Sequence, residues 1–269
     1  LAQEEDPFYR AIKQFQPFGR VLDLNQDQEN FNINQDRNVK TDKIEGKLDY
    51  YFILSPKSNF NLTLGVTDVR QDFDSSIFQI LDNNTTQNFN DNNLINRVNF
   101  QFQDAYAALH YRFIKGIFTF DPGFTLHYYK TTTDQVNGII SDSYSFFRPD
   151  FRVLMKLKES ETLRLIYRST RQFTDINNLA EGFIFRNYNS FFRGNPNLEA
   201  AFFNVLNLNY QSINIFNFTN IFANLSYSRR DNAIQNTTAV QGINSVRSAT
   251  NSDFPRYTYT ASGLSLIHI

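Results

Sequence analysis

Residues 47–66, KLDYYFILSPKSNFNLTLGV, alternate apolar and polar side chains on both sides of a short turn. Successive side chains of a β-strand point to opposite faces, so two such runs joined by a turn predict an antiparallel hairpin. One face of this hairpin carries an apolar row, and the other face is mixed or polar. The apolar row comprises Leu48, Tyr50, Phe52, Leu54, Phe60, Leu62, Leu64 and Val66.

The same alternation returns along the chain and predicts about nine strands. The runs around Val98 and Phe216 change phase without a turn, which predicts bulges near Gln103 and Thr219. Pro122 predicts a third irregularity, because it cannot donate a backbone hydrogen bond to a neighbouring strand. The expected strands cover residues 40–54, 59–70, 98–113, 117–129, 147–157, 162–170, 200–210, 214–229 and 256–264.

Short turns and long Asn-rich loops follow one another in strict order. Bacterial outer-membrane barrels have short periplasmic turns, longer extracellular loops and strands of about 9 to 11 residues across the hydrocarbon. The sequence therefore predicts an all-β fold, an antiparallel up-and-down transmembrane β-barrel with lipid outside and a polar lumen. The short turns are expected at 55–58, 114–116, 158–161 and 211–214, and the long loops at 71–96, 130–146, 171–199 and 231–254.

Composition narrows the class of protein. The 269 residues carry a formal net charge of −1, which argues against a strongly basic nucleic-acid surface, so no nucleic-acid partner is expected. The chain has 29 Phe, 14 Tyr and no Cys, so disulfides and thiolate chemistry are excluded. The mean hydropathy of −0.45 is no objection to a membrane barrel, because averaging cancels a lipid face against a lumen face.

No catalytic, cofactor or metal site is predicted, and we therefore expect a protein that is not an enzyme. His110 and His127 fall on the polar face of neighbouring strands, where His110 is expected near Asp121 and several residue pairs from His127. Such separated histidines are poorly placed to share a metal ion. The carboxylates of the loop 71–96 lack the spacing and the glycine of a calcium loop.

A row of cations is the first candidate site. In the hairpin that turns at 158–161, Arg152, Lys156, Arg164 and Arg168 are predicted to face the lumen, with Lys156 opposite Arg164 and Arg152 opposite Arg168. Like charges directly opposite each other destabilise a sheet unless other groups offset them. The offsetting groups are expected to be acidic residues of another domain of the same protein or an anionic solute. Water and lumen carboxylates are the alternative.

Aromatic residues in the loop 171–199 are the second candidate. Exposed rings offer a large contact area for recognition of a ligand, whereas rings packed against other loops or in an aromatic girdle would serve structure instead. The predicted contact residues are Phe183, Phe185, Tyr188, Phe191, Phe192 and Arg193.

The end of this loop resembles a signature of TonB-dependent receptors. Gly194-Asn195-Pro196-Asn197-Leu198 matches the Gly-Asn-Pro-(Asp/Asn)-Leu motif that precedes a barrel strand in that family. Residues 39–73 and 221–230 are also similar to barrels of its Bacteroidetes branch. The match ends at Glu199-Ala200-Ala201, where the family usually has Lys-Pro-Glu, so the resemblance implies only a place where a loop joins a strand.

This resemblance implies energy-coupled uptake of a scarce solute, such as a siderophore or a glycan, across the bacterial outer membrane. Its partners would be outer-membrane lipid, a plug domain in the same full-length chain, TonB and an adjacent surface lipoprotein. A passive porin, an adhesin or a structural barrel is the alternative, and a soluble β-sandwich is disfavoured by the order of short and long connections.

The resemblance also implies a fragment. Nine strands cannot close the 22-stranded barrel of such receptors, so the chain is expected to be a middle or later part of one. Residues 1–36 are expected to be a loop or a preceding barrel segment, residues 37–263 the partial barrel, and residues 264–269 a non-native tail.

Overall fold

A computed structural model describes residues 2–14, 25, 27–29, 31–89, 92–187, 190–214, 219–241 and 244–267. In these residues the helical elements are two short 3-10 helices, Asn92–Leu94 and Ile176–Asn178, and the other regular elements are β-strands. Among these residues no helix is both long and apolar enough to span a membrane. The strands are β1 (Ala2–Gln14), β2 (Phe31–Ser55), β3 (Ser58–Ile80), β4 (Thr86–Asn88), β5 (Ile95–Lys115), β6 (Phe118–Gln135), β7 (Gly138–Lys158), β8 (Glu161–Gln172), β9 (Phe183–Asn187), β10 (Ser190–Arg193), β11 (Ala201–Asn214), β12 (Thr219–Asp231), β13 (Ile234–Gln241), β14 (Asn244–Asn251) and β15 (Arg256–Ile267).

Eleven of these strands form one large antiparallel sheet in the order β1-β2-β3-β5-β6-β7-β8-β11-β12-β15, with β4 beside the end of β3. All nine strands predicted from the sequence are present in this sheet. Within the described chain β1 and β15 each pair with one neighbour, so the sheet is open. The predicted all-β partial barrel is therefore confirmed.

The two faces of the large sheet follow the sequence alternation. Leu64 of β3 lies opposite both Leu48 of β2 and Ala107 of β5, so the apolar row of the opening hairpin continues across strands. Its side chains are exposed on the outer face, as Leu48 at 66% and Leu126 at 51% exposure illustrate. Such an exposed apolar band is what the lipid-facing side of an outer-membrane barrel requires.

The predicted bulge near Gln103 is wrong. β5 keeps one register with β3 and with β6 on both sides of this residue. The apolar phase changes because the surroundings change, since Val98 and Phe100 are buried on the inner face, whereas Leu109 and its alternate neighbours belong to the outer row. At this end of β5 the inner face is covered by other apolar side chains, so the apolar residues of the strand lie on that face.

The other two predicted irregularities have different outcomes. β11 and β12 keep one register from Phe202 opposite Asp231 to Asn214 opposite Thr219, so the predicted bulge near Thr219 is wrong for the described residues, and Phe216 lies outside them. The irregularity at Pro122 is confirmed, because the β5–β6 ladder lacks a pair for this residue.

Several connections are shorter than predicted, because strands continue beyond the expected membrane span. The predicted loop 130–146 consists of the ends of β6 and β7 with a tight turn at residues 136–137, and the predicted turn 211–214 lies within β11. The glycines at two turns, Gly116 with φ 59° and Gly138 with φ 138°, adopt backbone conformations that other residues rarely tolerate.

Two long loops fold into a second sheet with the order β13-β14-β10-β9, in which β10 and β14 run parallel. This small sheet lies against the inner face of β2, β3 and β5 and forms two apolar clusters there. The first cluster contains Phe31, Ile33, Ile77, Phe89, Leu94, Phe185 and Phe191, and the second contains Phe73, Val98, Phe100, Ile176, Leu179, Ala180, Ile184, Phe192 and Ala249.

Candidate functional site

The predicted cations lie on the inner face of β7 and β8, but their predicted pairing is wrong. Arg168 lies opposite Asp150, Arg164 opposite Leu154, and Lys156 opposite Thr162. An irregularity next to the turn, between Lys156 and Lys158, moves the register by two residues from the one expected. No two of the four cations are therefore direct neighbours across this ladder.

One carboxylate, Asp121 of β6, offsets part of the cationic row. The Arg152 guanidinium donates to Asp121, which is 14% exposed and also has Arg112 within 3.8 Å. Within the described chain, Lys156, Arg164 and Arg168 form no ion pair, and all three are exposed. We define these three residues as the free cations of the wall, and their contact with a plug or a solute stays a prediction.

The two histidines contact different carboxylates. His127 Nδ1 lies 3.0 Å from Asp104 Oδ1, and its ring stacks on Tyr129 at a centroid distance of 4.9 Å. His110 lies opposite Gly123 rather than near Asp121, and its Nε2 is 3.1 Å from Asp150 Oδ2. Each imidazole thus has its own carboxylate partner, that of His127 on the adjacent strand β5 and that of His110 on β7, two strands away across Gly123 of β6.

The loop aromatics are packed inside, so the expectation that they form an exposed recognition surface is wrong for the rings described. Phe185, Phe191 and Phe192 are 1%, 0% and 4% exposed, and Phe183 packs at the edge of the first cluster. The physical reason is that β9 and β10 lie over apolar side chains of the barrel wall. Arg193 is exposed and donates to the Glu181 carbonyl, while Tyr188 lies outside the described residues.

The Gly194–Leu198 motif connects β10 to β11 through a tightly packed turn. The Gly194 N–H donates to the Ala180 carbonyl at 2.7 Å, and a Cβ at this position would lie 2.6 Å from that same oxygen. Asn195 accepts from the Asn197 N–H through its side-chain oxygen and donates to the Ala249 carbonyl, which joins the turn to β14. The motif therefore needs a glycine for space and an asparagine for bonding.

A basic cavity that the sequence did not predict lies beside the small sheet. It has a volume of about 580 Å³, and its wall includes Arg186 of β9, Arg230 of β12 and Arg247 of β14. Arg186 and Arg247 come from different loops and are brought together by the parallel pairing of β10 and β14. No local sequence spacing predicts that Arg186 and Arg247 lie close together. The alternation in the run 221–230 predicts only that Arg230 faces inward.

The architecture defines an outer-membrane β-barrel, and comparison with known proteins agrees. Residues 16–259 match the model of the outer membrane protein beta-barrel family, and the chain belongs to that family. No curated protein gave a significant match.

Solved structures with a similar fold are receptors and transporters. The hemophore receptor HasR of Serratia marcescens superposes with a TM-score of 0.60 at 12% identity, over 96% of this chain and 45% of HasR. The copper transporter OprC gives 0.62 at 12% identity, over 97% of this chain and 40% of OprC. The iron transporter FrpB from Neisseria meningitidis gives 0.54 at 10% identity, over 98% and 41%. The chain thus spans less than half the length of these proteins.

Proposed function

We propose that this chain is part of the barrel of an energy-coupled outer-membrane receptor, of the Bacteroidetes type, that takes up a scarce solute such as a siderophore or a glycan. Extracellular loops would bind the solute, and a plug domain elsewhere in the full-length protein would move when TonB acts on it. An adjacent surface lipoprotein would be a further partner. The fold similarity to receptors and transporters supports this proposal.

The small sheet is the observation that favours a receptor over a passive pore. A porin leaves an aqueous channel through its barrel, whereas the described loops fold inward and bury Phe185, Phe191 and Phe192 against the wall. Loops folded against the inner wall would narrow the lumen and would present a shaped surface to a solute. A closed resting state is what an energy-coupled receptor needs.

The free cations of the wall, Lys156, Arg164 and Arg168, support the presence of a plug. Lys156 and Arg164 lie within a few residues of the short turn at 158–161, Arg168 lies further along β8, and none of the three has an ion-pair partner within the described chain. A plug with acidic residues would provide the missing counter-charges. We therefore expect the double substitution Arg164→Gln and Arg168→Gln in the full-length receptor to loosen the plug, detected as faster proteolysis of that domain.

Liposome swelling separates the receptor from the porin. The full-length protein is reconstituted with arabinose as the permeating sugar, and a known porin serves as the positive control. We expect no swelling above that of empty liposomes. Cells are then tested for growth on limiting haem, ferric siderophore or glycan, with and without the gene and with and without TonB. Rapid arabinose swelling, or uptake that continues without TonB, would contradict the proposal.

A further inference from the structure

The basic cavity beside the small sheet carries an excess of positive charge. Arg186, Arg230 and Arg247 line it, and Asp175 is the one carboxylate among its lining residues in the described chain. The Asp175 carboxylate accepts a hydrogen bond from the Asn177 N–H and caps the adjacent 3-10 helix. Its hydrogen-bonding capacity is thus partly engaged by its own turn rather than by the arginines.

Aromatic rings, not carboxylates, contact two of these guanidinium groups. Arg186 lies over the ring of Phe192 at 4.8 Å, and Arg230 lies over the ring of Phe203 at 3.9 Å. Within the described residues, Arg186, Arg230 and Arg247 have no acidic group within ion-pair distance. A cation–π contact orients a guanidinium and leaves its N–H donors available to a ligand.

Like charges crowd around the cavity instead of being neutralised. Arg230 lies directly opposite Arg256 in the β12–β15 ladder, an arrangement that destabilises a sheet unless an anion offsets it. Partial burial lowers the pKa of Arg186, and the nearby charges of Arg37 and Arg10 lower it further. The fold therefore holds several positive charges together near the extracellular end, at a cost that a bound anion would reduce.

We infer that this cavity binds a small solute that carries two or more carboxylate or phosphate groups, with Arg186 and Arg247 as its principal contacts and Arg230 as a third. The volume of about 580 Å³ suits a small-molecule ligand. Arginine guanidinium groups recognise carboxylates and phosphates through paired hydrogen bonds, and Phe173 and Phe192 give the site an apolar wall. The inference deepens the proposed function, because it names the chemical class of the solute.

The test measures anion binding to the full-length receptor in detergent by calorimetry, with inorganic pyrophosphate and propane-1,2,3-tricarboxylate as probes and maltotriose as an uncharged comparison. We expect at least one anion to bind, binding to weaken several-fold between 50 and 500 mM NaCl, about the change that screening produces, and no binding of maltotriose. No energised partner is needed, so a failure here is distinguishable from a failure of energy coupling.

The double variant Arg186→Gln and Arg247→Gln locates the site. We expect it to weaken anion binding by about tenfold or more, because charge-assisted hydrogen bonds are lost. Arg229→Gln is the matched control, since Arg229 neighbours Arg230 but is paired with Asp231, and its affinity should stay within about twofold of wild type. If the double variant does not fold, each single variant is compared in the same way.

Several outcomes would overturn the inference. The first is that the wild-type receptor binds neither anion. The second is that the affinity does not change with the NaCl concentration. The third is that the arginine variant that folds binds the anion as tightly as the wild type.

Discussion

Gly194 occupies a position with no room for a side chain. A Cβ there would lie 2.6 Å from the carbonyl oxygens of Asn178 and Ala180, which are backbone atoms that cannot turn aside. We expect Gly194→Ala to destabilise the turn by about 1 to 3 kcal/mol, the usual cost of overpacking. Hydrogen exchange of the Gly194 and Asn195 amides, which bond to Ala180 and Asn178, would report the loss.

The control for this substitution is Gly46→Ala in β2. A Cβ at Gly46 would meet only Val66, at an ordinary 3.7 Å, so exchange and stability should change little or improve slightly. Equal destabilisation by both substitutions would contradict the steric account of the motif.

Leu165 tests the assignment of the two faces of the sheet. It lies opposite Val153 and Leu208 in the outer apolar row. We expect Leu165→Arg to lower the free energy of unfolding in lipid by about 2 to 4 kcal/mol, the cost of a cation at the bilayer midplane. Urea unfolding of the full-length protein in lipid vesicles measures this change.

Asn207→Arg introduces the same charge on the opposite face of the sheet. Asn207 is next in sequence to Leu208, which lies opposite Leu165. Asn207 lies opposite Ile166 and Ser226 on the inner row, where water or protein surrounds it. Its effect should be well below that of Leu165→Arg. If the two substitutions destabilise the barrel equally, the lipid and lumen faces are wrongly assigned.

Among the elements, the strands of the large sheet were the most predictable from the sequence. Their residues alternate because lipid and lumen differ, so periodicity alone located all nine predicted strands. The ends were less predictable, since β3, β6 and β7 continue past the membrane with Thr- and Ser-rich residues that still favour extended pairing. The polar composition of these strand ends is typical of loops, so the sequence did not predict that the strands continue there.

The small sheet and the basic cavity could not be predicted from the chain. β10 and β14 are separated by about fifty residues and pair in parallel, a contact for which neither turn chemistry nor periodicity gives a local signal. One trace was present, namely the apolar phase change at Val98 and Phe100. Such a change is also typical of a bulge, but here it marks the buried contact between the wall and the folded loops.

The small sheet is expected to depend on its apolar contacts with the wall. Phe191 is 0% exposed and packs against Phe183 and Phe185. We expect Phe191→Ala to lower the local stability of the sheet by about 3 to 5 kcal/mol, as removal of a buried ring commonly does. Limited proteolysis should then cut within 173–200, while the barrel remains resistant.

An exposed aromatic in another loop is the comparison for Phe191. Phe254 is 80% exposed, so Phe254→Ala should leave the protease pattern unchanged. Resistance of the Phe191→Ala protein to cutting in 173–200 would show that the small sheet holds its place without the cluster.

At the scale of the whole molecule, the large sheet has two unpaired edges. In the described chain, one is the free side of β15, and the other consists of the free side of β1 together with residues 44–55 of β2, since the pairing of β1 ends at Ala2 opposite Lys43. Ile53, at 75% exposure, belongs to this second edge. In a bilayer, each unpaired backbone group costs several kcal/mol, so an open edge cannot remain in lipid.

The 269 residues expressed alone are therefore expected to aggregate or associate through these edges instead of forming a monomeric barrel. The measurement is refolding into detergent, followed by size-exclusion chromatography and the shift in gel mobility between heated and unheated samples. The full-length protein, refolded in parallel, should give a monomer with a clear shift. A monomer of the isolated chain with the same heat-dependent mobility would mean that its own strands close the cylinder, and the assignment of residues 44–55 and β15 as edges that await further strands would then be wrong.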